Sequence, residues 1–144
     1  MKNIVIINGP NLNLLGKRQP EIYGNTPFET FFEELKSSFK DQLTLTYVQS
    51  NVEGELVNFI QEFGFKADFL ILNAAAYTHT SIAIADAVAA VPAKTIGLHI
   101  SNIYTREKER HIDLLAKYCH ACLFGFGLEG YKMAVRYCIE YQDK

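Results

Sequence analysis

The stretch Asn3-Ile4-Val5-Ile6-Ile7 decides the architecture. A strand with one wet face alternates polar and apolar residues, and this one does not. A near-continuous β-branched run marks a strand buried on both faces, as in a parallel sheet covered by helices above and below. Outward from it, short β-rich runs alternate with longer segments of helical period. Thr26-Pro27-Phe28-Glu29 reads as a helix start, with Thr26 as N-cap, Pro27 in the first turn and Glu29 completing a capping box. Phe28, Phe31, Phe32, Leu35 and Phe39 give that helix one buried stripe. Leu43–Val48 alternates as a second strand, and Ser50-x-x-Glu53 caps a helix carrying Leu56, Val57, Ile60 and Phe63. Phe69–Leu72 and Lys94–Ile100 are further strands on either side of a helix over Thr80–Val91. A charged helix over 105–117, a strand near 121–126 and a helix from Leu128 to Tyr141 complete the pattern.

Five β-α units with short connections predict an α/β fold of three αβα layers. The expected sheet is a flavodoxin-like, doubly wound, five-stranded parallel one of order 2-1-3-4-5. The 144 residues, 49% of them apolar, suffice for one domain spanning 1–144 and are too few for two. Fourteen basic against 16 acidic side chains leave a net charge of −2, so neither nucleic acid nor an anionic membrane is an expected partner. No apolar run approaches the ~20 residues that span a bilayer. The first strand is too short for a signal peptide, so a cytoplasmic protein is expected. Three cysteines are too few for a disulfide scaffold. Cys119-His120-Ala121-Cys122 lies on or beside a strand, where residues three apart face opposite ways; neither a metal site nor a redox pair is expected there.

In doubly wound sheets ligands bind beyond the carboxyl ends of the strands, near the switch point between strands 1 and 3. That rule directs attention to residues 8–25, 73–81 and 99–110, where the polar residues concentrate. The first loop, Asn8-Gly9-Pro10-Asn11-Leu12-Asn13-Leu14-Leu15-Gly16-Lys17-Arg18, is neither a P-loop nor GxGxxG, which disfavours a nucleotide binder. It offers amides, Arg18 and Tyr23, against the plainer reading of a long loop rich in turn formers. The third loop brings Asn73, Tyr77, Thr78, His79 and Thr80 to a helix N-terminus, where Thr78 or Thr80 would cap. The helix it enters, Ile82–Val91, is apolar everywhere except Asp86 and must be covered all round, which points to a subunit interface. Asp86 would then be a nearly buried carboxylate, serving either a structural ion pair or a ligand across the interface. His99-Ile100-Ser101-Asn102 closes strand 4, followed by Arg106 and Arg110, four apart and interleaved with Glu107 and Glu109 as solvated helix pairs would be.

The rim therefore gathers Asn11, Arg18, Tyr23, Asn73, His79, His99, Ser101 and Arg110. It holds no nucleophilic triad, no cysteine and no metal-ligand set, which points to acid–base chemistry on a small anionic molecule. Tyr23 and His99 are the candidate proton carriers. A phenol of ordinary pKa ~10 is short of ionisation at pH 7 by roughly 4 kcal/mol, and a neighbouring arginine recovers about 1–3 pKa units of that. Such a pair suits abstraction of a proton α to a carbonyl with loss of water. A pocket that binds without turnover is the competing reading.

Asn8 through Gly16, with Arg18 and Tyr23-Gly24, resembles the signature of type II 3-dehydroquinate dehydratases. So do Ser50-Asn51-x-Glu53-Gly54-Glu55, Ala76-Tyr77-Thr78-His79-Thr80-Ser81, His99-Ile100-Ser101-Asn102 with Arg106 and Arg110, and Gly125-Phe126-Gly127-x-x-Gly130-Tyr131. The resemblance runs along essentially the whole chain. It implies a hydro-lyase of the shikimate pathway, in aromatic amino acid biosynthesis, converting 3-dehydroquinate to 3-dehydroshikimate through an enolate with no cofactor and no metal. By similarity Tyr23 is the base, Arg18 its activator, His99 the acid and Asn11 the stabiliser of the enolate. Asn73, with the Ile100 and Ser101 amides, would take the substrate carboxylate; His79 and Arg110 would hold hydroxyls. Asp86 would reach in from a neighbouring subunit of a dodecamer built from four trimers, and the Arg18–Tyr23 loop would act as a mobile lid. The chain departs from the family at Ala74, where proline is usual, and at Gly97, where a glutamate commonly orients the histidine. It departs again at Glu109, where an aromatic is usual, and across His111-Ile112-Asp113.

Overall fold

A computed structural model describes residues 1–23 and 25–144, without the side chains of Ile22 and Tyr23. The strands are β1 (Lys2–Asn8), β2 (Leu43–Gln49), β3 (Phe69–Asn73), β4 (Lys94–His99) and β5 (Ala121–Phe124). They form one parallel sheet in the order β2-β1-β3-β4-β5, the flavodoxin-like order read from the sequence. The α-helices are α1 (Pro20–Tyr23), a single turn, then α2 (Phe28–Ser38), α3 (Glu53–Gly64), α4 (Ile82–Ala90) and α5 (Glu129–Glu140).

Alternate side chains of each strand enter different cores, which is why the central runs are apolar without interruption. Ile4, Ile6, Phe69, Ile71, Ile96 and Leu98 meet Phe28 and Leu35 of α2 and Tyr131 and Val135 of α5 on one face. Val5, Ile7, Leu70 and Leu72 meet Leu56 and Ile60 of α3 and Ile84 and Val88 of α4 on the other. Each fully buried aliphatic side chain contributes roughly 1.5–3 kcal/mol, so the two layers together dominate the fold. Polar residues are tolerated where this burial ends, at the carboxyl tips of the strands.

One buried polar network joins those tips. The Tyr131 hydroxyl donates to Asn8 Oδ1 at 2.8 Å and accepts from Asn73 Nδ2 at 3.0 Å. Burial pushes the Tyr131 phenol well above its usual range, so it stays protonated and able to donate.

Several local expectations are corrected. No α-helix forms over 105–117; 3-10 turns at Ile103–Thr105, Lys108–His111 and Ala116–Tyr118 take its place. The segment 105–111 is polar throughout and offers no apolar stripe, and its side chains bond the backbone instead. Asn102 Oδ1 accepts from Tyr104 N–H, and Asp113 Oδ1 accepts from the N–H groups of Leu115 and Ala116. Pro27, extended at ψ 144°, occupies the N-cap position of α2, so Thr26 and Glu29 form no capping box. Ser50 sits upstream of α3, accepting from Val52 N–H and donating to Glu55 rather than capping the helix, whose N-cap is Val52. Ser81, not Thr78 or Thr80, caps α4 by accepting from Ile84 N–H. Cys119 precedes β5 rather than lying on it, so strand alternation does not separate it from Cys122. A Cβ placed on Gly97 would touch Cys119 Sγ at 3.2 Å and Cys122 Sγ at 3.3 Å, so both thiols reach the same spot beside β4.

Tyr131→Phe removes the hydroxyl that Asn8 and Asn73 share while keeping the ring that fills the core. Leaving two buried amides short of a partner is expected to cost about 1–3 kcal/mol. Urea unfolding should show a lower midpoint at an unchanged slope; an unchanged midpoint would show that the network is not a joint of the fold.

Candidate active site

Strand register assembles the site. Asn8 of β1 stands opposite Asn73 of β3, and Gly9 N–H donates to the Asn73 carbonyl at 2.7 Å. This close pairing requires glycine at position 9, because a Cβ there would stand 2.6 Å from the Ala74 carbonyl oxygen. Asn73 Oδ1 accepts from Ala75 N–H at 3.1 Å and starts the 3-10 turn Ala75–His79. From β1 the chain passes through Asn11, in the left-handed region at φ 67°, whose N–H donates to Asn51 Oδ1 at 2.9 Å. That bend points the first loop back over the sheet.

The result is an open cleft at the switch point. Asn11, Arg18, Asn73, His79, His99, Ile100, Ser101, Arg106 and Arg110 line it, with apolar wall from Leu12, Leu14, Leu15 and Ile103. Two expected site residues are not among them. The Tyr23 side chain lies outside the described residues. Asp86 is exposed on α4 beside Ile82 and Ala83, away from this chain's own cleft.

The cleft's cations are anchored rather than loose. Arg110 Nε donates to Glu107, whose exposed carboxyl that hydrogen bond holds below the usual range. Arg106 Nη1 donates to Ser101 Oγ at 3.5 Å, and its Nε lies 3.9 Å from Glu107 Oε2. The two arginines share this carboxylate from the end of one 3-10 turn and from within the next, not from one face of an α-helix. His79 Nδ1 lies 2.6 Å from the Ile112 carbonyl, so Nδ1 carries the proton and Nε2 is left to accept. Burial holds the His79 pKa below its usual value and keeps the ring neutral near pH 7, with the Ile112 carbonyl acting in the opposite sense. The His79 ring stacks near His99, centroids 6.1 Å apart and planes 18° from parallel.

Sequence reasoning gave Asp113 no role. Its Oδ2 lies 3.4 Å from His99 Nε2, with the two side chains 16% and 10% exposed. The signal available was indirect: a carboxylate in a segment that departs from the family, beside a glycine where a carboxylate is usual. Among the described residues no group of three or more His, Cys, Asp or Glu side chains is placed to hold a metal ion. No helix in them is long and apolar enough to cross a membrane.

A doubly wound sheet with a histidine, amides and arginines at its switch point is the arrangement of an α/β enzyme acting on a small molecule. The family model described as Dehydroquinase class II matches residues 2–139. A 3-dehydroquinate dehydratase of Francisella philomiragia is 49% identical over 140 residues, covering 96% of this chain and 95% of that one. Another, from Fusobacterium nucleatum, is 47% identical over 145 residues, covering 98% and 99%. The type II dehydroquinase crystal structure from Butyrivibrio crossotus superposes with a TM-score of 0.90 at 42% identity, covering 95% of this chain and 97% of that one. The chain belongs to the class II dehydroquinase family, whose members are hydro-lyases.

Gly9→Ala forces a methyl group against the Ala74 backbone and must push apart the two strand ends that carry the cleft. Overpacking of this kind costs about 1–3 kcal/mol. We expect a lower urea midpoint together with weakened binding of 3-dehydroquinate in calorimetry. Wild-type values for both would show that the close approach is dispensable.

Proposed function

We propose that the chain dehydrates 3-dehydroquinate to 3-dehydroshikimate in the shikimate pathway, through an enolate and without a covalent intermediate. The observation that carries this reading is the cleft itself, in which Asn11, Arg18, Asn73, His79, His99, Ser101 and Arg110 converge while no cysteine lines the wall. The first step needs a base for a proton on C2, next to the ketone. Tyr23 supplies it as phenolate. Arg18, five residues earlier and in the cleft wall, supplies the charge that makes the phenolate accessible near neutrality. The electron pair left by the C2 proton moves into the carbonyl and forms the enolate oxyanion. Asn11 donates toward that oxygen, through a water molecule, where charge grows in the transition state.

Collapse of the enolate expels the C1 hydroxyl. His99 protonates it, so that water leaves rather than hydroxide, and the substrate loses one water overall. Asn73 keeps one amide proton beyond the one given to Tyr131, and with the Ile100 and Ser101 N–H groups it binds the substrate carboxylate. Neutral His79 and anchored Arg110 hold ring hydroxyls. Rigid anchoring limits the ordering needed when substrate arrives.

A homo-oligomer, a dodecamer built from four trimers, completes this reading. Its support is the outer face of α4, where Ile82 is 67% exposed and Ala83 lies beside it. A neighbour covering that face would bring Asp86 to its own cleft. The Arg18–Tyr23 loop serves as lid, and a cytoplasmic location goes with the pathway.

Tyr23→Phe should abolish turnover in an assay following the absorbance of the enone product. Wild-type protein no faster than this variant would end the enzymatic reading. Arg18→Ala should lower kcat by orders of magnitude and alter KM much less; an unchanged kcat would show that the phenol needs no such cation. In sedimentation, Ile82→Lys should yield smaller species than wild type. A monomeric wild type would remove any role for Asp86 in a neighbouring site.

A further inference from the structure

We propose that Asp113 is the positioning residue for His99: a carboxylate from the β4–β5 connection fixes the imidazole and balances its charge when protonated. The inference rests on the reading of His99 as proton donor.

Position 97 shares a strand face with position 99, two residues on, so a side chain there would be the nearest means of turning the ring from the strand itself. Gly97 supplies none. The space its side chain would enter holds the Sγ atoms of Cys119 and Cys122, within 3.2 and 3.3 Å of a Cβ position. A carboxylate must therefore come from elsewhere, and the connection that failed to form a helix delivers it. Residues 108–111 and 116–118 form 3-10 turns, and between them Asp113 points at His99.

The two oxygens of Asp113 divide the work. Oδ1 accepts from Leu115 N–H at 2.9 Å and from Ala116 N–H at 3.0 Å, which locks the side chain to the backbone. Oδ2 is thereby aimed at His99 Nε2, 3.4 Å away. Burial acts to raise the Asp113 pKa, but the hydrogen bonds from His99, Leu115 and Ala116 outweigh it and hold the carboxyl below its usual range. An ionised carboxylate only accepts, so the ring nitrogen facing it carries a proton. Nδ1 is then the nitrogen left for the substrate, and protonating it places a positive charge beside a fixed negative one. The other groups around the pair do not compete. His79, stacked on His99, is held neutral; Arg110 is tied to Glu107; and the Cys119 thiol, whose pKa its hydrogen bond with Cys122 and burial both raise, stays protonated, with Cys122 Sγ close by.

A plainer role is available, since Asp113 also caps the turn at Leu115 and Ala116. Asp113→Asn separates the two, because the amide oxygen still accepts from both N–H groups while the charge is gone. We expect kcat to fall about 10–100-fold, as when partners of an oriented histidine are removed. KM should stay within about twofold and the melting temperature should hold. In NMR titration the His99 ring should lose its proton at lower pH than in wild type, since the imidazolium has lost its counter-charge. Wild-type kcat with an unchanged His99 titration would overturn the proposal. So would a fall in kcat that merely follows loss of folded protein, with the titration unmoved.

His99→Asn distinguishes the two readings. If that variant turns over freely, the acid assignment fails, whatever Asp113 does. If it is inactive while Asp113→Asn is not, only the positioning role fails. Combining the two substitutions should cost no more than His99→Asn alone.

Discussion

The hydroxyl of Tyr131 holds together the carboxyl tips of β1 and β3 from the first turn of α5. It gives its proton to Asn8 and takes one from Asn73, with all three side chains buried. Hydrogen bonds in so buried a setting are stronger than in water, and they order the side chains that make them. The loops of the cleft start from these atoms. Gly9 bonds the Asn73 carbonyl, Ala75 bonds the Asn73 side chain, and the turn that follows ends at His79. The site is placed by a polar joint at the edge of two apolar cores, and the cores themselves exclude polar chemistry from everywhere deeper.

The same division explains how amides, histidines and arginines act together. Asn73 is both a member of the joint and a wall of the cleft, so the geometry of binding is inherited from the fold. His79 is kept neutral by burial, while the Ile112 carbonyl fixes its tautomer and pulls weakly the other way. His99, one ring away, has a carboxylate at hand, so two histidines 6.1 Å apart stand against different neighbours, a backbone carbonyl and Asp113.

Much of this was legible in the chain. Uninterrupted Ile and Val in β1 gave the parallel sheet, short connections gave the strand order, and the strand ends located the cleft. The misreadings share a cause. The run 105–117 reads as a helix because its charges are spaced as on a solvated helix, yet Asn102 and Asp113 bond the backbone locally and hold it in 3-10 turns. Thr26 and Glu29 form a capping box on paper, but extended Pro27 starts the helix one residue later. Strand alternation applied to Cys119 and Cys122 puts them on opposite faces, but Cys119 precedes β5 and both thiols reach the space beside Gly97.

Composition and periodicity set the layers, the order of strands and the end of the sheet that carries chemistry, because burial of apolar surface is a property of residue type and spacing. The family followed from loop residues whose identities are specific in combination. Which carboxylate stands beside His99 was not written in any spacing. Asp113 is fourteen residues along an irregular connection, and its approach depends on two backbone bonds and on two thiols filling the space beside Gly97. Such contacts arise from three-dimensional packing between separate segments, so only the tertiary structure decides them.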